Sequence, residues 1–141
     1  MFNRASSFPL PDNLKEVFTP YFSDHDLSRV TIHLSMPWYV RKFAKVTPGA
    51  YTSGNKIYFA PGHYDPNTVN GIASIAHELT HIQQYREYGK FRFRLKYLAF
   101  FFKNKSRQLE DAEAYKGIPF EKEAYDKQQE IKKYLETEVM N

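Results

Sequence analysis

The chain has 141 residues, enough for one domain with a single hydrophobic core, and a formal charge of +4. It has no cysteine, which excludes disulfides and thiolate zinc sites, so any metal must be held by nitrogen and oxygen. The N-terminus has no apolar segment typical of a signal peptide, and no stretch is long enough to span a membrane. We therefore expect a single domain over residues 1–141 that is cytoplasmic as synthesised, with signal-independent export as the route open to it.

The first half of the chain predicts short elements that include strands. Residues 1–11 are expected to form a flexible arm. Residues 27–34 alternate between apolar and polar side chains, which predicts a half-buried strand with His33 on its solvent face. Two β-prone runs, 50–52 and 56–60, flank a Ser-Gly-Asn turn and predict a hairpin. The second run directly precedes a helix, and its free edge is expected to be able to pair with an extended peptide.

Residues 70–89 carry the pattern with the clearest chemical meaning. His77 and His81 are four residues apart, so on a helix both imidazoles can reach one metal ion, and Glu78 is placed as a general base. Gly89 provides a helix end, and caps are available at Asn67, Thr68 and Asn70. An apolar stripe at helical spacing lies opposite the histidines and predicts the core-facing side: Ile72, Ile75, Leu79 and Ile82.

The remaining chain predicts helices. Residues 90–105 form a basic aromatic helix, in which one stripe contains Phe91, Leu95, Leu98 and Phe102 and a second row contains Phe93, Tyr97, Phe100 and Phe101. Such a helix can lie on an anionic membrane or meet nucleic acid, but the second row favours packing inside the protein. We expect no nucleic-acid partner and keep membrane contact as the lesser alternative. Residues 107–116 predict a polar helical segment and 120–140 a final helix.

A catalytic zinc site needs a third protein ligand and an open position for water. No histidine follows His81 at a suitable spacing, so a carboxylate on another helix is the remaining source. The candidates are Glu110, Glu113, Glu121 and Glu123. Glu121 is preferred because it lies in the first turn after Pro119 and because Ala124, three residues on, allows close helix packing. Glu123 is the alternative metal ligand.

The segments IAHELTHIQQY and FEKEAY resemble the gluzincin-type metallopeptidases, in which a glutamate from a second helix completes HExxH. DLSRVTIHL, GNKIYFAPGHYDP and IAHELTHIQQ are also similar to a zinc-peptidase domain often encoded beside bacterial extracellular contractile injection systems, over about Leu14 to Tyr125. The resemblance implies a small zincin-like α+β core, in which a short sheet with a hairpin is followed by the HExxH helix and C-terminal helices. It also implies a Zn²⁺ ion held by His77, His81 and Glu121, with Glu78 as base. Where related helices carry an orienting Asp or Asn this chain has Tyr125, so the Tyr125 hydroxyl or Asp126 is expected to substitute.

The function that follows is a zinc metalloendopeptidase that hydrolyses a peptide or protein substrate through a zinc-activated water. A tetrahedral oxyanion also needs a hydrogen-bond donor, for which the sequence offers Tyr115, Tyr125, Tyr85 and His63. One alternative is a non-catalytic, zinc-stabilised binding module or accessory protein of a secretion or injection system. Another is a metal-free basic adaptor for membrane or nucleic acid.

Overall fold

The computed structural model describes residues 7–43, 48–105 and 117–139, which form an α+β fold, as predicted. The elements are, in chain order, β1 (Ser7–Pro9), α1 (Asp12–Phe18), α2 (Asp24–Arg29), β2 (Thr31–His33), α3 (Trp38–Phe43), β3 (Ala50–Ser53), β4 (Lys56–Phe59), α4 (Val69–Tyr88), α5 (Lys90–Lys105), α6 (Pro119–Tyr134) and a π-helical end (Leu135–Val139). The polar helical segment predicted at 107–116 lies outside the described residues. None of the described helices has the length and apolar content that crossing a bilayer requires.

The four strands form one sheet in the order β1-β2-β4-β3. The predicted hairpin is confirmed as β3 and β4, antiparallel about a turn in which Gly54 adopts a φ of 61°. β2 runs parallel to β4, with Ile32 opposite Ile57 in the core. The strand before the HExxH helix is therefore interior, so the prediction of a free edge there is wrong. Among the described strands, the one at that edge of the sheet is β3.

Two predictions for the N-terminal region need correction. The expected flexible arm does not hold for residues 7–11, because β1 pairs with β2 and Leu10 is buried in the core. The predicted strand over 27–34 is shorter, because Leu27 belongs to α2, whose start is capped by the Ser23 hydroxyl accepting from the Asp26 N–H. Each of these segments therefore places a leucine in the core: Leu10, directly after β1, and Leu27 in α2.

α4 follows the prediction closely. It begins where the Thr68 hydroxyl accepts from the Gly71 N–H at 3.0 Å and ends at Gly89, whose φ is 80°. A Cβ on Gly71 would collide with the Asp65 backbone oxygen, so the approach of the preceding loop requires glycine there. The predicted core stripe is buried at Ile75, Leu79 and Ile82 and partly buried at Ile72. The apolar stripe of α4 thus packs on the main core, and α6 packs against a different side of α4.

α5 is a helix, as predicted, but of the two rows expected to form its packing face the first stripe faces outward. Phe91 and Phe102 are 77% and 64% exposed, whereas Phe93, in the second row, is 5% exposed. Phe93 stacks on Phe120 of α6 at 4.7 Å and contacts Tyr85 of α4 at 4.2 Å between ring centroids. Both aromatic rows have helical periodicity, so contacts with these two rings decide which row is buried.

Candidate metal site

The close packing of α4 against α6 brings the candidate ligands together. Ala124 is fully buried, and the small side chain lets the backbones of the two helices approach. Glu121, one turn earlier on α6, therefore reaches the face of α4 that carries His77 and His81. The histidines point away from the main core, as predicted, but this face is covered by α6, which leaves His81 only 7% exposed.

One oxygen of Glu121 lies between the two imidazoles. Its Oε1 is 2.9 Å from His77 Nε2 and 3.2 Å from His81 Nε2. One ligand atom from each of the three residues lies within 4.8 Å of the other two. Two nitrogens and a carboxylate oxygen converging in this way form a group that can bind a metal ion.

The opposite nitrogen of each imidazole is held by a glutamine. His77 Nδ1 donates to Gln128 Oε1 at 2.9 Å, and His81 Nδ1 donates to Gln84 Oε1 at 2.8 Å. The Gln84 amide cannot turn around, because its nitrogen donates to the Phe120 carbonyl and to the Glu123 carboxylate. Gln84 therefore keeps the proton on His81 Nδ1, and both imidazoles present Nε2 to the shared position, as in metal-ligating histidines.

The short distances between these ionisable side chains shift the pKa values of His81 and Glu121. Burial lowers the pKa of His81, but its hydrogen bond to Glu121 and the Glu121 and Glu78 charges outweigh this and raise the pKa to about 9. Burial raises the pKa of Glu121, and its hydrogen bonds to both histidines outweigh burial and hold that pKa well below the usual range. A cation is therefore favoured beside this carboxylate, and the nitrogen and oxygen donors fit Zn²⁺.

α5 contributes a further contact to the group. The Tyr97 hydroxyl donates to Glu121 Oε2 at 2.7 Å, on the carboxylate oxygen that does not lie between the histidines. Tyr97 belongs to the second aromatic row of α5, which packs against α6. Glu121 is thus oriented through both oxygens.

Glu78 lies on the neighbouring side of α4, where it faces β3. The Thr52 hydroxyl donates to Glu78 Oε1 at 2.7 Å. Both residues line an open cleft of about 740 Å³ whose wall also contains all three of the candidate ligands. Three residues of β3, Ala50, Tyr51 and Thr52, form part of the cleft wall, so this strand, a carboxylate and the candidate metal group border one cavity.

The other predicted site residues are placed differently. Tyr125 lines the cleft with its ring centroid 4.6 Å from that of His77, and Tyr85 lines it while donating to the Thr52 carbonyl. Glu123 binds Gln84 instead of joining the ligand group, and Asp126 and His63 are exposed and are not among the residues that line the cleft. The candidates outside the described residues are Glu110, Glu113 and Tyr115.

Sequence reasoning missed the residues that orient the site. Gln84 follows His81 by three residues and Gln128 follows Glu121 by seven, so each shares a helix face with a candidate ligand. That spacing could have predicted that these two glutamines lie close to the candidate ligands. Thr52 and Tyr97 come from other elements, and no local pattern connects them with Glu78 or Glu121.

These observations define an α+β protein with a His/His/Glu group, able to bind a metal, in the wall of a cleft. A family model described as the eCIS core domain matches residues 9–89, more than half of the chain. The protein belongs to this family, which associates it with extracellular contractile injection systems. The match includes His77, Glu78 and His81 and ends before Glu121. Comparison with curated proteins gives no match, and neither does comparison with solved structures.

Proposed function

We propose that the protein is a zinc-dependent peptide hydrolase in which His77, His81 and Glu121 hold the metal. The observation that carries this proposal is the convergence of both Nε2 atoms and the Glu121 carboxylate within 4.8 Å. The group lies in an open cleft, where a substrate could reach it. When bound, zinc lowers the pKa of a water and polarises a scissile carbonyl.

Glu78 is the general base. It takes a proton from the attacking water as the water oxygen bonds to the carbonyl carbon, and passes the proton to the amine when the C–N bond breaks. The hydrogen bond from Thr52 occupies Oε1, and Oε2 has no partner within the described parts of the chain. Thr52 thus positions the carboxylate and leaves one oxygen to accept the proton.

Tyr125 supplies the hydrogen bond to the developing oxyanion. Burial raises the pKa of Tyr125, and the Glu121 and Glu78 charges raise it further. Its hydroxyl therefore stays protonated close to both carboxylates and can donate. A donor placed in advance at a developing negative charge is among the largest contributions to catalysis.

The edge of β3 favours an extended peptide as the substrate. Among the described strands, β3 has a hydrogen-bonded neighbour on one side only, and its residues Ala50, Tyr51 and Thr52 line the cleft. A peptide that adds to this edge gains main-chain hydrogen bonds whatever its sequence. The scissile bond would then lie next to Glu78, because Thr52 is part of this strand and its hydroxyl donates to Glu78.

The test compares the zinc-loaded wild type with Glu78→Gln on a degenerate peptide mixture, with cleavage read by mass spectrometry. Glu87→Gln is the matched control, since Glu87 is an exposed glutamate on the same helix. We expect cleavage by the wild type and the control, and none by Glu78→Gln with zinc content unchanged. Cleavage that persists in Glu78→Gln would refute the role of the base.

A second candidate is a non-catalytic module whose zinc joins two helices. It is favoured by one observation: the ligands come from α4 and α6, and Tyr97 of α5 holds the second oxygen of Glu121. In that case zinc raises the melting temperature of the wild type and of Glu78→Gln equally, and neither cleaves a peptide. Such a module would serve as a binding or accessory component of an injection system.

A further inference from the structure

Among the described residues that line the cleft, Arg94 of α5 is the one positively charged side chain besides the histidines. Its Nη2 donates to the Ser53 hydroxyl at 2.9 Å and lies 3.5 Å from the Tyr51 hydroxyl. Burial lowers the pKa of Arg94, and this is outweighed by its hydrogen bond to Tyr85 and by the nearby Tyr51 and Tyr39, which raise the pKa. Arg94 is thus held in place by neutral groups.

No carboxylate within the described residues pairs with Arg94. By contrast, Arg86 forms an ion pair with Asp26, with 2.6 Å between Nε and Oδ1. A guanidinium has five N–H groups; the contacts of Arg94 to Ser53 and Tyr51 both involve Nη2, and one further hydrogen bond joins its side chain to Tyr85. It therefore keeps donor capacity for an anionic group that enters the cleft.

The charge of the cleft also favours an anion once a divalent metal is bound. The acidic side chains among the described residues of its wall are Glu78 and Glu121. A divalent cation balances these two carboxylates, and Arg94 then leaves the cleft with a net positive charge.

We propose that Arg94 is a specificity-determining residue that binds a carboxylate of the peptide in the cleft. This inference rests on the proposed function for its choice of a peptide ligand. Arginine recognises carboxylates through two parallel hydrogen bonds, and in an unmodified peptide that group is either the C-terminus or an Asp or Glu side chain. Tyr85 hydrogen-bonds both Arg94 and the Thr52 carbonyl, which brings the bound carboxylate close to the peptide bond presented to Glu78.

The experiment measures binding in the zinc-loaded Glu78→Gln protein, which is chosen because it should not cleave. Three degenerate mixtures of N-acetylated octapeptides without Asp or Glu at variable positions are used as probes. One mixture ends in a free carboxylate, one ends in an amide, and one ends in an amide but has Glu at a fixed central position. Immobilised protein is equilibrated with each mixture, and the retained peptides are quantified by mass spectrometry.

We expect at least about tenfold greater retention of one carboxylate-containing mixture than of the neutral one, as is typical of a charge-assisted hydrogen-bonded pair. The free-carboxylate arm identifies recognition of a C-terminus, and the central-Glu arm identifies recognition of a side chain. Adding Arg94→Gln should abolish the preference. Arg92→Gln, an exposed arginine two residues away on the same helix, should keep it.

Equal retention of the three mixtures, retention of none, or a preference that survives Arg94→Gln would each overturn the inference. Zinc content and melting temperature of every variant show that metal and fold are retained. Because binding is measured without turnover, the two proposals can fail separately. Carboxylate binding without cleavage by the wild type contradicts the hydrolase, whereas cleavage without a carboxylate preference contradicts the role of Arg94.

Discussion

Replacing Glu121 by alanine should remove one of three protein ligands and therefore weaken zinc binding strongly. Structural zinc sites bind with about 10–16 kcal/mol shared by four ligands, so one ligand contributes roughly 2.5–4 kcal/mol, or about a hundred- to a thousandfold in Kd. We expect Glu121→Ala to lose the full contribution of one ligand to zinc binding, because Glu121 Oε1 contacts both His77 and His81. The expected Kd of Glu121→Ala is higher than that of the wild type by this factor.

Glu123→Ala is the matched control, since Glu123 lies two residues away on the same helix and contacts only the amide of Gln84 in the site. Gln84 keeps its bond to the Phe120 carbonyl, so we expect a loss below about tenfold. The assay is competition for zinc with a chromophoric chelator, with circular dichroism as a check on folding. A Glu121→Ala protein within about tenfold of the wild type, or an equal loss in Glu123→Ala, would refute the assigned ligand set.

Three other predictions concern Thr52 and Tyr125 in the cleft and His33 in β2. Thr52→Val should lower kcat about tenfold with zinc content unchanged, because Glu78 loses the bond that positions it; an unchanged kcat would contradict this role. Tyr125→Phe should lower kcat about a hundredfold without loss of zinc, and an effect on KM alone would show that only the ring matters. Burial and then the Lys56 charge lower the pKa of His33 below 6.5, so protonation favours the unfolded chain and the free energy of unfolding falls as pH decreases through this value. His33→Phe should remove that part of the pH dependence in urea unfolding between about pH 8 and about pH 5, and identical slopes in the two proteins would contradict it.

Elements with local signals could be predicted from the sequence. α4 is defined by an apolar stripe, the Thr68 cap and the Gly89 end, all contained in one short stretch. The candidate Glu121 was also accessible, because Pro119 and Ala124 indicate a helix start and a close helix contact. Its place beside the histidines, however, depends on how α6 packs on α4.

Features decided by contacts between distant segments were not predictable. The two aromatic rows of α5 have the same period, and burial of Phe93 depends on Tyr85 and Phe120, which come from two other helices. The position of β4 inside the sheet depends on its parallel pairing with β2, which no turn signal reveals. Tertiary packing therefore determined both the face of α5 and the strand edge that borders the cleft.

The division of the ligands between α4 and α6 has a consequence for biosynthesis. Forty residues separate His81 from Glu121, and the carboxylate lies beyond the segment matched by the family model. A ribosome therefore produces both histidines well before the third ligand, and a nascent chain that ends within α5 has only two of the three donors. If these three residues hold a metal as proposed, chemistry that requires the full set begins only after α6 has been synthesised and packed on α4.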